Sequence, residues 1–138
     1  MKLHTTNYVN TFIEVADDSP ATQGEIPPRK DDTKSAATSQ FELLSQNPYA
    51  FTSDDVLFDV YARKNDLTDS ERPEARQQFF SKGQPCFRSS PLTKRYSWGV
   101  HSNGEGKIAI YALGSDAYTR LINDDTLRHI KAMRSKRG

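Results

Sequence analysis

Residues 98–112, WGVHSNGEGKIAIYA, restrict the fold more than any other stretch of the chain. Trp98, Val100 and Ser102 alternate with Gly99 and His101, the period of a strand with one face inward. Asn103-Gly104-Glu105-Gly106 then offers residues that tolerate positive φ, and Lys107-Ile108-Ala109-Ile110-Tyr111-Ala112 follows. Two β-prone runs around a Gly-rich four-residue loop read as a hairpin. Ile108 to Leu113 is apolar in both phases, so the second arm is expected to be covered on both faces.

The other elements are read around this hairpin. Tyr8 to Ala16 mixes β-branched and aromatic residues and stops at Asp17-Asp18-Ser19-Pro20, as a strand would. From about 17 to 34 the chain is polar and punctuated by Pro20, Gly24, Pro27 and Pro28. An irregular loop of that length in a small domain is usually functional or mobile. Ser35 to Gln46 repeats Ala37, Phe41 and Leu44 at helical spacing, with Pro48 beyond it. Thr52-x-x-Asp55 is a capping box that opens a second helix carrying Val56, Leu57, Val60 and Tyr61. A third helix runs from about Ser70 to Lys82, since Pro73 is tolerated only in a first turn and Gly83 ends the segment. Gln84 to Leu92 reads as a surface loop. Ser115 caps a short helix broken at Asn123-Asp124-Asp125.

Residues 126–134 fit both periods: Leu127, Ile130 and Met133 are spaced as on a helix, whereas Ile130 and Ala132 alternate. The strand reading is carried forward. The expected architecture is α+β: a small antiparallel sheet of N-terminal strand, central hairpin and C-terminal strand, covered on one face by about three to four helices. The 138 residues fit one domain, with a basic tail at 134–138.

Charge is unevenly spread. Residues 1–87 hold nine Lys and Arg against fourteen Asp and Glu, whereas 88–138 hold ten against four. Opposed halves attract within one domain, which accounts for much of this pattern. A lone cysteine excludes an internal disulfide, the N-terminus lacks the apolar run of a signal peptide, and no segment is long enough to span a bilayer. A cytoplasmic protein without membrane contact is the expectation.

From Ala75 to Gly104 there is no Asp or Glu, while Arg76, Lys82, Arg88, Lys94 and Arg95 are all cationic and Phe79, Phe80, Phe87, Tyr96 and Trp98 are interspersed. The leading reading places a small anionic ligand, phosphate- or carboxylate-bearing, on loop 84–98, with Arg88, Lys94 and Arg95 giving charge-assisted hydrogen bonds and Tyr96 a ring or hydroxyl beside it. A second reading is a thiol enzyme: Cys86 sits among Lys82 and Arg88, and nearby cations favour a thiolate, for which His101 would be the base. A third is a nucleic-acid binder using the basic C-terminal half with Arg95, Tyr96 and Trp98, although no known reading module is present. No phosphate loop, dinucleotide fingerprint or zinc-ligand spacing involving His4, His101 and His129 occurs, so neither a metal nor a cofactor is expected. Asp54, Asp55 and Asp59 could suggest a metal, but helix capping accounts for the first two.

The strings MKLHTTNYVNTFIEVADD, TSDDVLF, FFSKGQPCFRSSPLTKRY, WGVH, GKIAIY and KAMRSKR together resemble one family of small uncharacterised, mostly bacterial proteins, domain of unknown function family 6157. The resemblance spans nearly the whole chain. It implies a free-standing cytosolic domain and supplies no activity, cofactor or catalytic residue. Ser19 and Ser97 stand where Cys and Gly are common in that family's pattern, so a thiol role at the first position does not carry over.

Overall fold

A computed structural model describes residues 3–28 and 35–135. Strands β1 (Thr11–Glu14), β2 (Trp98–Ser102), β3 (Ile108–Ala112) and β4 (Arg128–Lys131) form one sheet in the order β3-β2-β1-β4. The hairpin forms as its sequence requires, with Val100 opposite Ile110 and Gly106 at φ 78° in the turn. Helices α1 (Ala36–Gln46), α2 (Ser53–Lys64), α3 (Arg72–Phe80), α4 (Pro91–Lys94) and α5 (Asp116–Ile122) complete an α+β fold. Residues 29–34 of the irregular loop and 136–138 of the basic tail lie outside the described residues.

Local chemistry sets the helix starts. Ser35 accepts from Thr38 N, Ser115 from Tyr118 N, and Thr52 exchanges both bonds of a capping box with Asp55. Asp54, one residue into α2, is not a surface acid. It is buried and accepts from Thr6 N, Thr6 Oγ1 and Thr5 Oγ1, tying the N-terminal segment to the start of α2. Two stretches read as loop are partly helical: Phe87–Ser89 is a 3-10 turn, and Pro91 begins the single turn α4, where its missing N–H costs nothing.

The sheet departs from expectation in two ways. It is mixed, because β4 runs parallel to β1 with Ile130 beside Ile13. A parallel neighbour needs a crossover, and α5 supplies it between β3 and β4. That crossover also covers the second face, so the helices are not all on one side. On the first face Ile13, Val100 and Ile108 pack with Leu44 of α1, Val56 of α2, Phe87 and Leu92. On the second, Phe12 and Val15 pack with Tyr118 of α5, the Phe12 and Tyr118 rings meeting edge-on at 5.1 Å.

Residues 17–28 are held against the far end of the hairpin. Gly24 N bonds Leu113 O, Glu25 N bonds Tyr96 O, and Trp98 Nε1 donates to Glu25 O. A Cβ on Gly24 would lie 2.4 Å from Ala112 Cβ, so only glycine allows this approach. Nearby, Ser97 is fully buried in a left-handed conformation (φ 62°), donates to Ala21 O at 2.7 Å and lies 2.7 Å from the Ser19 hydroxyl.

The φ value explains why glycine suits position 97, and the two bonds explain how serine is accommodated. Ser97→Ala keeps the backbone strain and leaves Ala21 O without its donor, so urea unfolding should show a loss of about 1–2 kcal/mol. Ser97→Gly relieves about 1 kcal/mol of strain while losing the same bonds and should fall closer to wild type. An alanine variant more stable than the glycine variant would refute this balance.

Candidate functional site

Two polar clusters occupy opposite faces of the sheet. The first gathers at the β4 edge, on the face carrying Ile13 and Val100. Side chains alternate along a strand, so Arg128 shares a face with Ile130, which packs into the same cluster as Tyr8 and Phe87. Cys86 precedes Phe87, and its Sγ lies 3.8 Å from the Tyr8 hydroxyl. Arg88, in the 3-10 turn, reaches back to β4: Arg88 Nε donates to Lys131 O at 2.8 Å, and Met133 N donates to Arg88 O at 2.7 Å. Burial and the Cys86 thiol raise the Tyr8 phenol above its ordinary value, while the positive charges of Arg88 and Arg128 act in the opposite direction.

Within the loop singled out in the sequence, Cys86 lies by Tyr8, and Arg88 is bonded at Lys131 and Met133, the end of β4 opposite Arg128. Lys94, Arg95 and Tyr96 follow Thr93, whose carbonyl accepts from Ala16 N just beyond β1. Arg95 is exposed, and Lys94 and Tyr96 are half-buried. The Trp98 ring packs on Phe41 with centroids 5.1 Å apart.

The Cys86–His101 pair is not formed. His101 alternates with Val100 along β2 and so faces the opposite side of the sheet from Phe87 and its neighbours. There it belongs to the second cluster, where the Tyr49 hydroxyl lies 2.7 Å from His101 Nδ1 and 2.7 Å from the Tyr111 hydroxyl. Tyr49 arrives over the sheet edge. Residues 49–52 run along β3, with Tyr49 N bonding Ile108 O and Ile108 N bonding Phe51 O, and Tyr49 itself is left-handed at φ 59°. Burial, reinforced by the Tyr111 hydrogen bond, raises the Tyr49 phenol, and burial lowers His101 against the opposing charge of Asp124. With Nδ1 unprotonated, Tyr49 donates to it and Tyr111 donates to Tyr49. His129, on the same face, bonds Asp124 O through Nε2 at 2.8 Å and places Nδ1 3.3 Å from Glu14.

The cavities lie elsewhere. One of about 480 Å³ is lined by Leu43, Phe51, Phe58, Arg63, Arg72 and Arg76 among others. Its arginines already have carboxylate partners: Arg63 and Arg72 bond Asp59, and Arg76 bonds Asp55 at 3.0 Å. Among the described residues no group of three or more His, Cys, Asp or Glu could hold a metal ion. No helix there is long and apolar enough to cross a membrane.

Residues 3–138 match the family described as a family of unknown function, DUF6157. The chain belongs to that family. No curated protein and no solved structure matches it. For this DUF6157 member, then, chemistry has to be argued from side chains. Sequence reasoning found Cys86, Arg88 and His101 but missed Tyr8, Arg128 and Tyr49. Arg128 does stand at the mouth of a predicted strand, and Tyr49 follows a Pro that ends a helix; those were the available signals.

The depressed His101 value has a sign that can be tested. Its folded form resists protonation, so its contribution to stability is complete above the ordinary value of 6.5 and is lost as pH falls through the lower folded value. The difference in unfolding free energy between wild type and His101→Gln should therefore shrink in acid. Chemical denaturation from pH 7.5 to pH 5 measures it, and a difference independent of pH would contradict the assignment.

Proposed function

We propose that this chain is an anion-binding domain whose site is built from Arg88 and Arg128, with the Tyr8 hydroxyl and Cys86 thiol beside them. The ligand class is phosphate- or carboxylate-bearing. The supporting observation is that Arg88, fixed by its Nε bond to Lys131 O, and Arg128, at the first residue of the same strand, both lack a carboxylate partner among the described residues. Arg88 uses Nε on Lys131 O, which orients the guanidinium and leaves its terminal nitrogens as donors. Planar guanidiniums match carboxylate and phosphate oxygens in pairs, and such charge-assisted bonds are about twice as strong as neutral ones. The arginines of the α2–α3 cavity are poorer candidates because a ligand would have to displace Asp55 or Asp59.

Lys94 and Arg95 contribute positive charge beside Tyr96, beyond the end of β1, rather than contacts. The thiol-enzyme reading is less favoured, because His101 and Phe87, which follows Cys86, lie on opposite faces of the sheet.

Arg128→Gln is the informative variant, because the Arg128 side chain makes no hydrogen bond or ion pair among the described residues and can be replaced without removing one. Thermal-shift measurements across phosphate- and carboxylate-bearing compounds should find ligands that raise the melting temperature of wild type by a few degrees. Arg128→Gln should melt like wild type alone and lose most of the ligand response. Ligand responses unchanged in Arg128→Gln would refute the site.

A further inference from the structure

The cavity between α2 and α3 has a chemistry of its own, apart from the β4 edge. We propose that it is a second binding site, taking an uncharged planar ring compound that carries carbonyl or ring-nitrogen acceptors.

Two ion pairs tie α3 to α2: Asp55 to Arg76 at 3.0 Å and Asp59 to Arg72 at 3.1 Å. Both partners are spaced i, i+4 on their helices, so the pairs stand one turn apart as two rungs of a ladder. The cavity, about 480 Å³, is bounded by these rungs, by Leu43 of α1 and by Phe51, Phe58 and Pro73. Small-molecule sites span roughly 300–1,000 Å³.

Charge balance selects an uncharged occupant. The lining holds three arginines, Arg63, Arg72 and Arg76, against three aspartates, Asp55, Asp59 and Asp69, so its formal charge is zero. An anion would have to take a guanidinium from Asp55 or Asp59 and leave that carboxylate without its partner. A cation would do the reverse. A neutral ligand leaves both rungs in place.

Hydrogen-bonding capacity selects acceptors. Both oxygens of Asp55 are engaged, by Arg76 and Thr52 N, and both of Asp59, by Arg72 and Arg63. Each guanidinium commits a single nitrogen to these bonds and keeps other N–H groups. Arg72 Nε is buried with no acceptor among the described residues. The wall therefore has donors in excess. Flat rings suit the rest of it: Phe51 and Phe58 supply ring surface, and guanidinium planes stack on rings, as Arg76 does over Phe58 at 5.8 Å.

Benzamide, benzoate and benzamidine test this, because they share one ring and size and are neutral, anionic and cationic. Each is titrated at pH 7.5 and matched ionic strength while amide shifts are followed by NMR. With benzamide, Phe51, Phe58, Arg72 and Arg76 should shift saturably with a Kd of roughly 1–10 mM, as expected of so small a ligand. Benzoate and benzamidine should bind about fivefold more weakly. Asp69 is exposed and makes no hydrogen bond or ion pair among the described residues, so Asp69→Lys makes the lining cationic while keeping both rungs. In that variant benzoate should bind more tightly than benzamide. Arg128→Gln, which disables the β4 site, should leave the benzamide shifts as in wild type. Benzoate or benzamidine binding wild type as tightly as benzamide would overturn the uncharged assignment. Benzamide shifts lost in Arg128→Gln, or no shift at the cavity residues with any of the three, would overturn the site itself.

Discussion

The structure depends on β1 being bonded along both edges and buried on both faces. It pairs antiparallel with β2 and parallel with β4, and Thr11, Phe12 and Ile13 are each at most 2% exposed. Four residues thus carry the contact between two apolar clusters. Ile13 belongs to the one roofed by α1, α2 and α4, and Phe12 to the one roofed by α5. The helices of the two clusters come from both sides of the hairpin in sequence, so β1 joins parts of the chain that no local signal connects.

The parallel pairing also sets what stands beside what. Because β4 enters the sheet in the same direction as β1, its first residue lies next to the start of β1. That sets Arg128 beside Thr11. The two outer edges are closed by different means, which matters because an open edge invites strand addition. The β3 edge is covered by main chain, residues 49–52, at the cost of a left-handed Tyr49 that its hydroxyl bonds help to hold. The β4 edge is closed at one end by Arg88, a lighter cover.

Where a signal was local, the sequence displayed it. The hairpin, the Thr52–Asp55 capping box, the Ser115 cap and the strand reading of Arg128–Lys131 all rest on side chains acting on neighbouring backbone. The direction of β4 and the second roof could not be read that way, because both follow from the path of α5 across the sheet. The segment 84–98 shows the same limit within a site. Its composition marked it as basic and acid-free, but it did not display the 3-10 turn and α4 that divide it, or the bond from Arg88 to the end of β4. Asp54 behaved similarly: its place in the first turn of α2 was legible, and its burial under Thr5 and Thr6 was not. His101 drew notice as a partner for Cys86 and in the search for zinc-ligand spacing, and it lies on the opposite face of the sheet from Phe87.

The central claim is that β1 holds two tightly packed faces together, and Gly99 of β2 is the place to probe it. A Cβ there would come 2.5 Å from Phe12 Cζ and 2.8 Å from Tyr118 Cε2, two rings with no room to withdraw. Urea unfolding of Gly99→Ala measures how much that packing matters. The account predicts a loss of about 1–3 kcal/mol, the usual range for forcing an extra methyl into a packed core. Unfolding indistinguishable from wild type would contradict it.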